Sequence, residues 1–166
     1  MASKGLVVMQ PPDLITFSGD WASYENQIYD AFLDSFVRSD IRFLGHPVSA
    51  QYRPETNGKH FSFWHTISEA PSRDNRNEAD RIPDFRRCER VCWISWAIGN
   101  AGSDGFKWWE NRRGRETRVV IWAEQHDFAV VLAKRRDYYV LKTAYAEIKP
   151  HRRKTFEREW QEFQSP

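Results

Sequence analysis

The sequence predicts an α+β domain in which helices pack on a mainly antiparallel sheet that ends in a three-strand β-meander. Three observations carry that expectation. The runs Arg118–Glu124, Phe128–Lys134 and Tyr138–Tyr145 are apolar and β-branched and are separated by three residues each; links so short force antiparallel neighbours. Apolar residues recur at helical spacing in three other stretches, near residues 20–39, 83–98 and 150–163. Finally, 166 residues with 15% aromatics are enough to bury a core without disulfides or a structural metal, and an aromatic share this high excludes disorder for most of the chain.

The elements follow in order. Residues 1–19 read as an N-terminal extension and 20–166 as one domain. Met1–Gln10 holds a four-residue apolar patch, too short for a secretory leader, and no stretch approaches the ~18 apolar residues of a membrane span; the expectation is a cytoplasmic protein with no membrane contact. Asp20 caps a first helix to Ser39, with Trp21, Tyr24, Ile28, Ala31, Phe32 and Phe36 on one face. A β-rich region follows: Ile41–Leu44, Val48–Tyr52 and the aromatic run His60–Ser68, broken by Gly45, Pro54 and Asn57-Gly58. Ser68–Asp80 is polar and aperiodic, hence an exposed loop. Ile82-Pro83 opens a second helix that runs to Ile98, with Pro83 near its first turn. Phe106–Glu110 is a connector leading to the basic run Asn111–Arg115. After the meander, Pro150–Phe163 forms a closing helix with Phe156, Trp160 and Phe163 on one side.

Charge is unevenly distributed. Residues 1–70 carry five Lys/Arg against eight Asp/Glu, and residues 71–166 carry twenty against fifteen. Eighteen of the basic residues are Arg, whose planar fork suits phosphate. An Arg-rich half with interleaved aromatics is compatible with nucleic-acid binding, and equally with a solvated surface balanced by Glu. Cys88 and Cys92, four apart, fit two packed thiols better than a bridge or a metal site. No glycine-rich phosphate loop occurs. Glu78, Asp80 and Asp84 form only a weak candidate for a divalent ion, so no metal or cofactor is expected.

Period-two alternation places Tyr139, Leu141, Thr143 and Tyr145 on one face of the last strand. If Arg136 and Asp137 form the link, Thr143 lies opposite Val130, and Leu132 opposite Leu141. Ala129, Ala133 and Ala144 then share the other face. Two readings of Thr143 stand: a hydroxyl beside phenols and the cations Lys134 and Arg135, suited to phosphate, or an ordinary strand residue. His65 is either a proton-transfer group or a hydrogen-bonded structural residue. His46, His126 and His151 read as surface residues. In the second helix, Arg86, Glu89, Arg90 and Trp93 share a face, and Glu89 can brace a neighbouring Arg for a ligand.

The segments Phe63-Trp64-His65-Thr66-Ile67-Ser68, Asp84-Phe85-Arg86-Arg87-Cys88-Glu89-Arg90-Val91 and Tyr138-Tyr139-Val140-Leu141-Lys142-Thr143-Ala144-Tyr145 resemble phage- and prophage-encoded toxins of the barnase–EndoU–colicin–RelE superfamily of ribonucleases. The resemblance covers roughly residues 20–163. It implies that superfamily's fold and a metal-independent endoribonuclease that cleaves mRNA or tRNA by 2′-hydroxyl attack, leaving a 2′,3′-cyclic phosphate. It also implies restraint by a protein antitoxin or immunity protein. Carried over by position, His65 matches the early histidine, Glu89 and Arg90 the charged pair before the meander, and Arg135, Thr143 and Tyr145 polar positions of the last two strands. His65 would move a proton, Arg90 and Arg135 would stabilise the phosphorane, and Thr143 and Tyr145 would orient the phosphate or act as a weak acid. Arg112, Arg113, Arg115, Lys134, Lys149, Arg152 and Arg153 would hold the RNA backbone, and Trp108 would stack a base. The competing reading is a non-catalytic module of phage or defence origin that binds nucleic acid or protein. Its tryptophans (Trp93, Trp96, Trp108, Trp109, Trp122) can equally build an interface.

Overall fold

Residues 10–166 are described by the computed structural model; the apolar patch near the N-terminus falls outside the described residues. Helix α1 spans Trp21–Phe32 and begins where Asp20 accepts a hydrogen bond from the Ser23 amide (3.0 Å). Tyr24, Ile28 and Phe32 form its buried stripe. A wider π-helical turn, Leu33–Val37, closed by Arg38 N–H donating to Leu33 O (2.8 Å), keeps Phe36 in the core. Short strands β1 (Arg42–Phe43) and β2 (His46–Ser49) pair as a hairpin. Its turn takes positive φ at Leu44 (52°) and Gly45 (82°).

The run expected as a strand over His60–Ser68 is instead helix α2, Phe61–Ile67. Its aromatic and β-branched composition suits a strand, but tertiary packing overrides propensity. Ser62, Phe63, Thr66 and Ile67 are buried, a pattern of i, i+1, i+4, i+5 that only a helix puts on one side. Ser62 Oγ donates to Leu141 O (3.2 Å) and accepts from the Gln51 amide (2.7 Å).

Strand β3 (Ser68–Glu69) pairs antiparallel with β4 (Ile82–Pro83) and brackets residues 70–81. The single helix expected up to Ile98 is two helices, α3 (Phe85–Glu89) and α4 (Trp93–Gly99). Asp84 caps α3 by accepting from the amides of Arg86 (2.9 Å) and Arg87 (3.3 Å), so Pro83 precedes the cap rather than entering the first turn. Arg90 leaves helical geometry (φ −108°, ψ 22°). The bend lets α3 pack on α2 and the last strand while α4 covers the middle of the sheet. Cys88 and Cys92 lie on either side of it as free thiols, and burial pushes Cys88 up to about 12.

The expected connector at Phe106–Glu110 is strand β5, Phe106–Arg113, which makes the meander four-stranded. It turns into β6 (Glu116–Ala123) through Gly114-Arg115, with Gly114 supplying the positive φ (61°) that a two-residue hairpin requires. Strands β7 (Phe128–Lys134) and β8 (Tyr139–Ala146) follow, and helix α5 (Pro150–Gln164) closes the chain. The sheet order is β1-β2-β8-β7-β6-β5, antiparallel except where β2 runs parallel to β8. Helices α1–α4 cover one face over Val119, Ile121, Val130, Leu132 and Leu141. On the other face α5 packs Phe156 against Trp109, Val120, Trp122 and Val131. Residues 10–19 of the expected extension dock across α1, α3 and α4. Ile15 N–H donates to Glu89 O (3.0 Å), Tyr24 Oη to Ile15 O (2.7 Å) and Trp93 Nε1 to Pro12 O (2.8 Å).

One local irregularity reorders the predicted register. Leu132 faces Leu141 as expected, but Thr143 faces Val131, not Val130. Lys142 is the extra residue of a β-bulge, which reverses the alternation beyond it. Tyr139 and Leu141 thus stay on the α1–α4 side, and Tyr145 crosses to the α5 side. Ala129 packs under α5 whereas Ala144 lies on the opposite face, so the expected alanine cluster does not form.

The helical assignment of α2 has a direct test. Phe63 is fully buried and Phe61 only partly, although a strand would put both on one face. Phe63→Ala is expected to lower stability by about 3–5 kcal/mol and Phe61→Ala by clearly less, read from urea unfolding midpoints.

Candidate functional site

The second half of β8 is unusual in its neighbours. Strand β2 pairs with it only at Tyr139 and Val140. Beyond that point α2 lies along the strand, and Thr143 Oγ1 donates to His65 O (2.7 Å). Bulge and helix together gather polar groups around Lys142, Thr143 and Tyr145.

Tyr145 lies between two guanidiniums, with Arg152 4.1 Å and Arg87 5.2 Å from its ring centre. Arg87 is only 6% exposed. It is held by Glu69 (2.5 Å), Asp84 (3.3 Å) and Ser68 O (3.3 Å), so its role is to support the phenol from behind. Arg152 joins no ion pair among the described residues and opens onto a pocket of about 220 Å³ between the sheet and α5. Arg113, Arg118, Thr143, Tyr145 and His151 line it too. At its floor Glu159 accepts from Trp109 Nε1 (2.9 Å) and Asn111 Nδ2 (3.1 Å). Arg113 also borders a second depression, walled by Arg115, Lys134, Arg135 and Arg136 around Glu116.

Glu116 balances part of this charge. Burial alone would raise its carboxyl, but the hydrogen bond from Arg118 (2.6 Å) and the Lys142, Arg118 and Arg135 charges hold it below the ordinary carboxylate range. Lys142 is pushed below the ordinary lysine range by burial, against Glu116 and with Arg118 and Arg135. Its ammonium enters no hydrogen bond or ion pair among the described residues.

His65 faces a separate opening of about 270 Å³ shared with Arg73, Arg76, Glu78 and Arg81. Its ring stacks on Phe61 (4.0 Å between centres). Nε2 lies 2.8 Å from Glu78 Oε1; a carboxylate only accepts, so Nε2 carries the proton of the neutral ring and Nδ1 keeps the lone pair. Burial, then Arg81 and Lys142, lower its pKa against the opposing pull of Glu78.

The residues singled out from sequence therefore divide. Thr143, Tyr145, Arg113 and Arg152 meet in the α5 pocket. His65 is joined to it through Thr143, and Arg135 through Glu116 (3.3 Å). Arg115 and Lys134 border the second depression, where Lys134 pairs with Glu110 (3.2 Å). Glu89 and Arg90 lie elsewhere. Arg90 donates to Arg86 O (3.0 Å), pairs with Glu89 (3.3 Å) and covers Trp93 (5.0 Å); together they anchor the N-terminal strap. Arg153 is bound to Asp127 and stacks over Trp122. Trp108 packs edge-on against Phe43 (5.3 Å) and beside Phe163 (5.5 Å). Arg112 reaches across its hairpin to Thr117 (3.4 Å), and Lys149 precedes α5. Arg87, Arg118, Lys142 and His151 were not among the predicted site residues. Arg118 belongs to a strand whose facing only the full sheet reveals, and Lys142 owes its position to the bulge.

No protein-family model, curated protein or solved structure matches this chain. Among the described residues no group of three or more His, Cys, Asp or Glu side chains could hold a metal ion, and no helix is long and apolar enough to cross a membrane.

The histidines give the fold a pH dependence. Burial lowers the pKa of His60, His65 and His126 from the ordinary 6.5. Between those lowered values and 6.5 the unfolded chain binds more protons, so stability rises with pH through that window and is lost on acidification. The expected result is a lower urea midpoint at about pH 5.5 than at about pH 7.5, a difference that His126→Gln makes smaller.

Proposed function

We propose that the protein binds single-stranded RNA along the groove between the sheet and α5 and cleaves it without a metal, by attack of the ribose 2′-hydroxyl. One observation carries this reading. Arg113, Arg115, Arg136 and Arg152 border two adjoining depressions and join no ion pair among the described residues, whereas Lys107, Arg118, Arg135 and Arg153 are each neutralised by a carboxylate. Unpaired guanidiniums gathered on one surface repel each other, and a polyanion relieves that repulsion. Planar bidentate donors favour phosphate, and the Tyr145 ring, with Arg152 4.1 Å and Arg87 5.2 Å from its centre, adds an aromatic beside them.

Cleavage is the second part of the proposal. RNA supplies its own nucleophile, so the protein needs only a proton acceptor, a proton donor and fixed positive charge at the phosphate. Arg113 and Arg152 would hold the non-bridging oxygens, Lys142 would add an unpaired ammonium, and the Thr143 hydroxyl, bonded to His65 O, fixes the strand beneath. A toxin of this kind would stop growth on expression, and an acidic antitoxin would compete for the same groove.

Binding and cleavage are separable by experiment. In fluorescence anisotropy with a short unstructured RNA, Arg113→Ala and Arg152→Ala should each weaken binding about tenfold or more. Each should also reduce the slope of log Kd against log salt by about 0.7. Sequencing of RNA ends after incubation should show 2′,3′-cyclic phosphates and 5′-hydroxyls, unchanged by EDTA. Binding with the stated salt slope but no such ends would leave an RNA-binding module without catalysis.

A further inference from the structure

The five histidines of this chain are not equivalent. His60 Nδ1 is bound to the Tyr29 hydroxyl (2.8 Å), and His65 Nε2 to Glu78 (2.8 Å). His126 sits edge-on to Trp93 and Trp96 (6.1 and 5.1 Å), and His46 lies on β2, tilted against Tyr139. His151, like His46 and His126, makes no ring hydrogen bond among the described residues, but of the five it is the one that lines the α5 pocket, beside Tyr145, Arg118 and Arg152.

We infer that His151 accepts the 2′-proton during RNA cleavage in this pocket, an assignment that rests on the reading above and names its general base. Of the other groups at the pocket, the guanidiniums are chemically unsuited and Thr143 is engaged, and Glu159 is held at one oxygen as a double acceptor, so it is tested beside His151 below. Guanidiniums carry no usable lone pair. Thr143 Oγ1 donates to His65 O (2.7 Å). One oxygen of Glu159 takes both Trp109 Nε1 (2.9 Å) and Asn111 Nδ2 (3.1 Å). The backbone that carries the exposed imidazole is fixed: Pro150 opens α5 with a set φ, and His151 O accepts from Thr155 Oγ1 (3.1 Å) in the next turn.

The step balances without a further reactant. The 2′-oxygen bonds to phosphorus as its proton passes to His151. The P–O5′ bond breaks with its electron pair on O5′, which takes a proton from the Tyr145 hydroxyl. Solvent then removes the proton from the imidazolium and returns one to the phenolate. The products are a 2′,3′-cyclic phosphate and a 5′-hydroxyl.

The test is the pH–rate profile of the full chain on a fluorophore–quencher RNA, with affinity measured in parallel on the 2′-deoxy analogue. His151→Gln is expected to lower kcat about a hundredfold or more, to abolish the acid limb of the profile, and to change affinity for the analogue less than about twofold. Wild-type rates and an intact acid limb in His151→Gln overturn the assignment alone. So does loss of that limb in Glu159→Gln or His65→Gln but not in His151→Gln. A wild-type protein that binds RNA yet forms no cyclic phosphate overturns the cleavage reading, and this assignment with it.

Discussion

Two hydrogen bonds hold helix α2 along the side of β8 that no strand occupies: Ser62 Oγ to Leu141 O (3.2 Å) and Thr143 Oγ1 to His65 O (2.7 Å). Strand β2 reaches only Tyr139 and Val140, so the remainder of β8 would otherwise expose an unpaired edge. Each bond contributes about 1 kcal/mol net, but a buried carbonyl left without a donor costs about 1–3 kcal/mol. One hydroxyl comes from each element: Ser62 of the helix satisfies a carbonyl of the strand, and Thr143 of the strand satisfies a carbonyl of the helix. Phe63 and Ile67, fully buried on the same helix, then continue the core that Leu141 and Leu132 begin.

The bulge at Lys142 follows from the same packing. A regular β8 would keep Tyr139, Leu141, Thr143 and Tyr145 on one face, all beneath α1–α4. The extra residue sends Tyr145 to the α5 side and leaves Lys142 without a cross-strand partner. Bulges re-aim side chains at the cost of a ladder bond. Here the result is a phenol between two guanidiniums and a half-buried ammonium with no counter-ion of its own.

Much of the architecture was legible because it is written in period and spacing. Strand β7 and the start of α5 fall where alternation and Pro150 put them, and Asp20 caps α1 as its position implies. What was not legible depends on partners distant in sequence. His60–Ser68 has strand composition but is held as a helix by partners far along the chain: Ser62 Oγ donates to Leu141 O, and Thr143 Oγ1 on β8 donates back to His65 O. Phe106–Arg113 lacks β-branched residues, so only its pairing with Glu116–Ala123 makes it a strand. Of the candidates, Thr143, Tyr145, Arg113 and Arg152 line one pocket. That Arg90 and Glu89 lie apart from it was not legible, since the break at Arg90 and the docking of Ile15 on Glu89 O leave no mark in the local pattern.

Helix α5 shows how one element serves both the core and the groove. Its inner side closes the second core through Phe156, between Trp109 and Trp122 (5.3 and 5.5 Å). The cations near that closure are compensated: Lys107 by Glu124 (3.0 Å) and Glu157 (3.3 Å), and Arg153 by Asp127. One turn away, His151 and Arg152 face the groove with no carboxylate partner among the described residues. Were cations placed only for stability, acids would be expected opposite Arg152 as they are opposite Lys107, since neutralising a cation on a helix face requires nothing more than one Glu at the right spacing. Arg152 is thus left uncompensated on the groove side while the cations beside the second core are balanced.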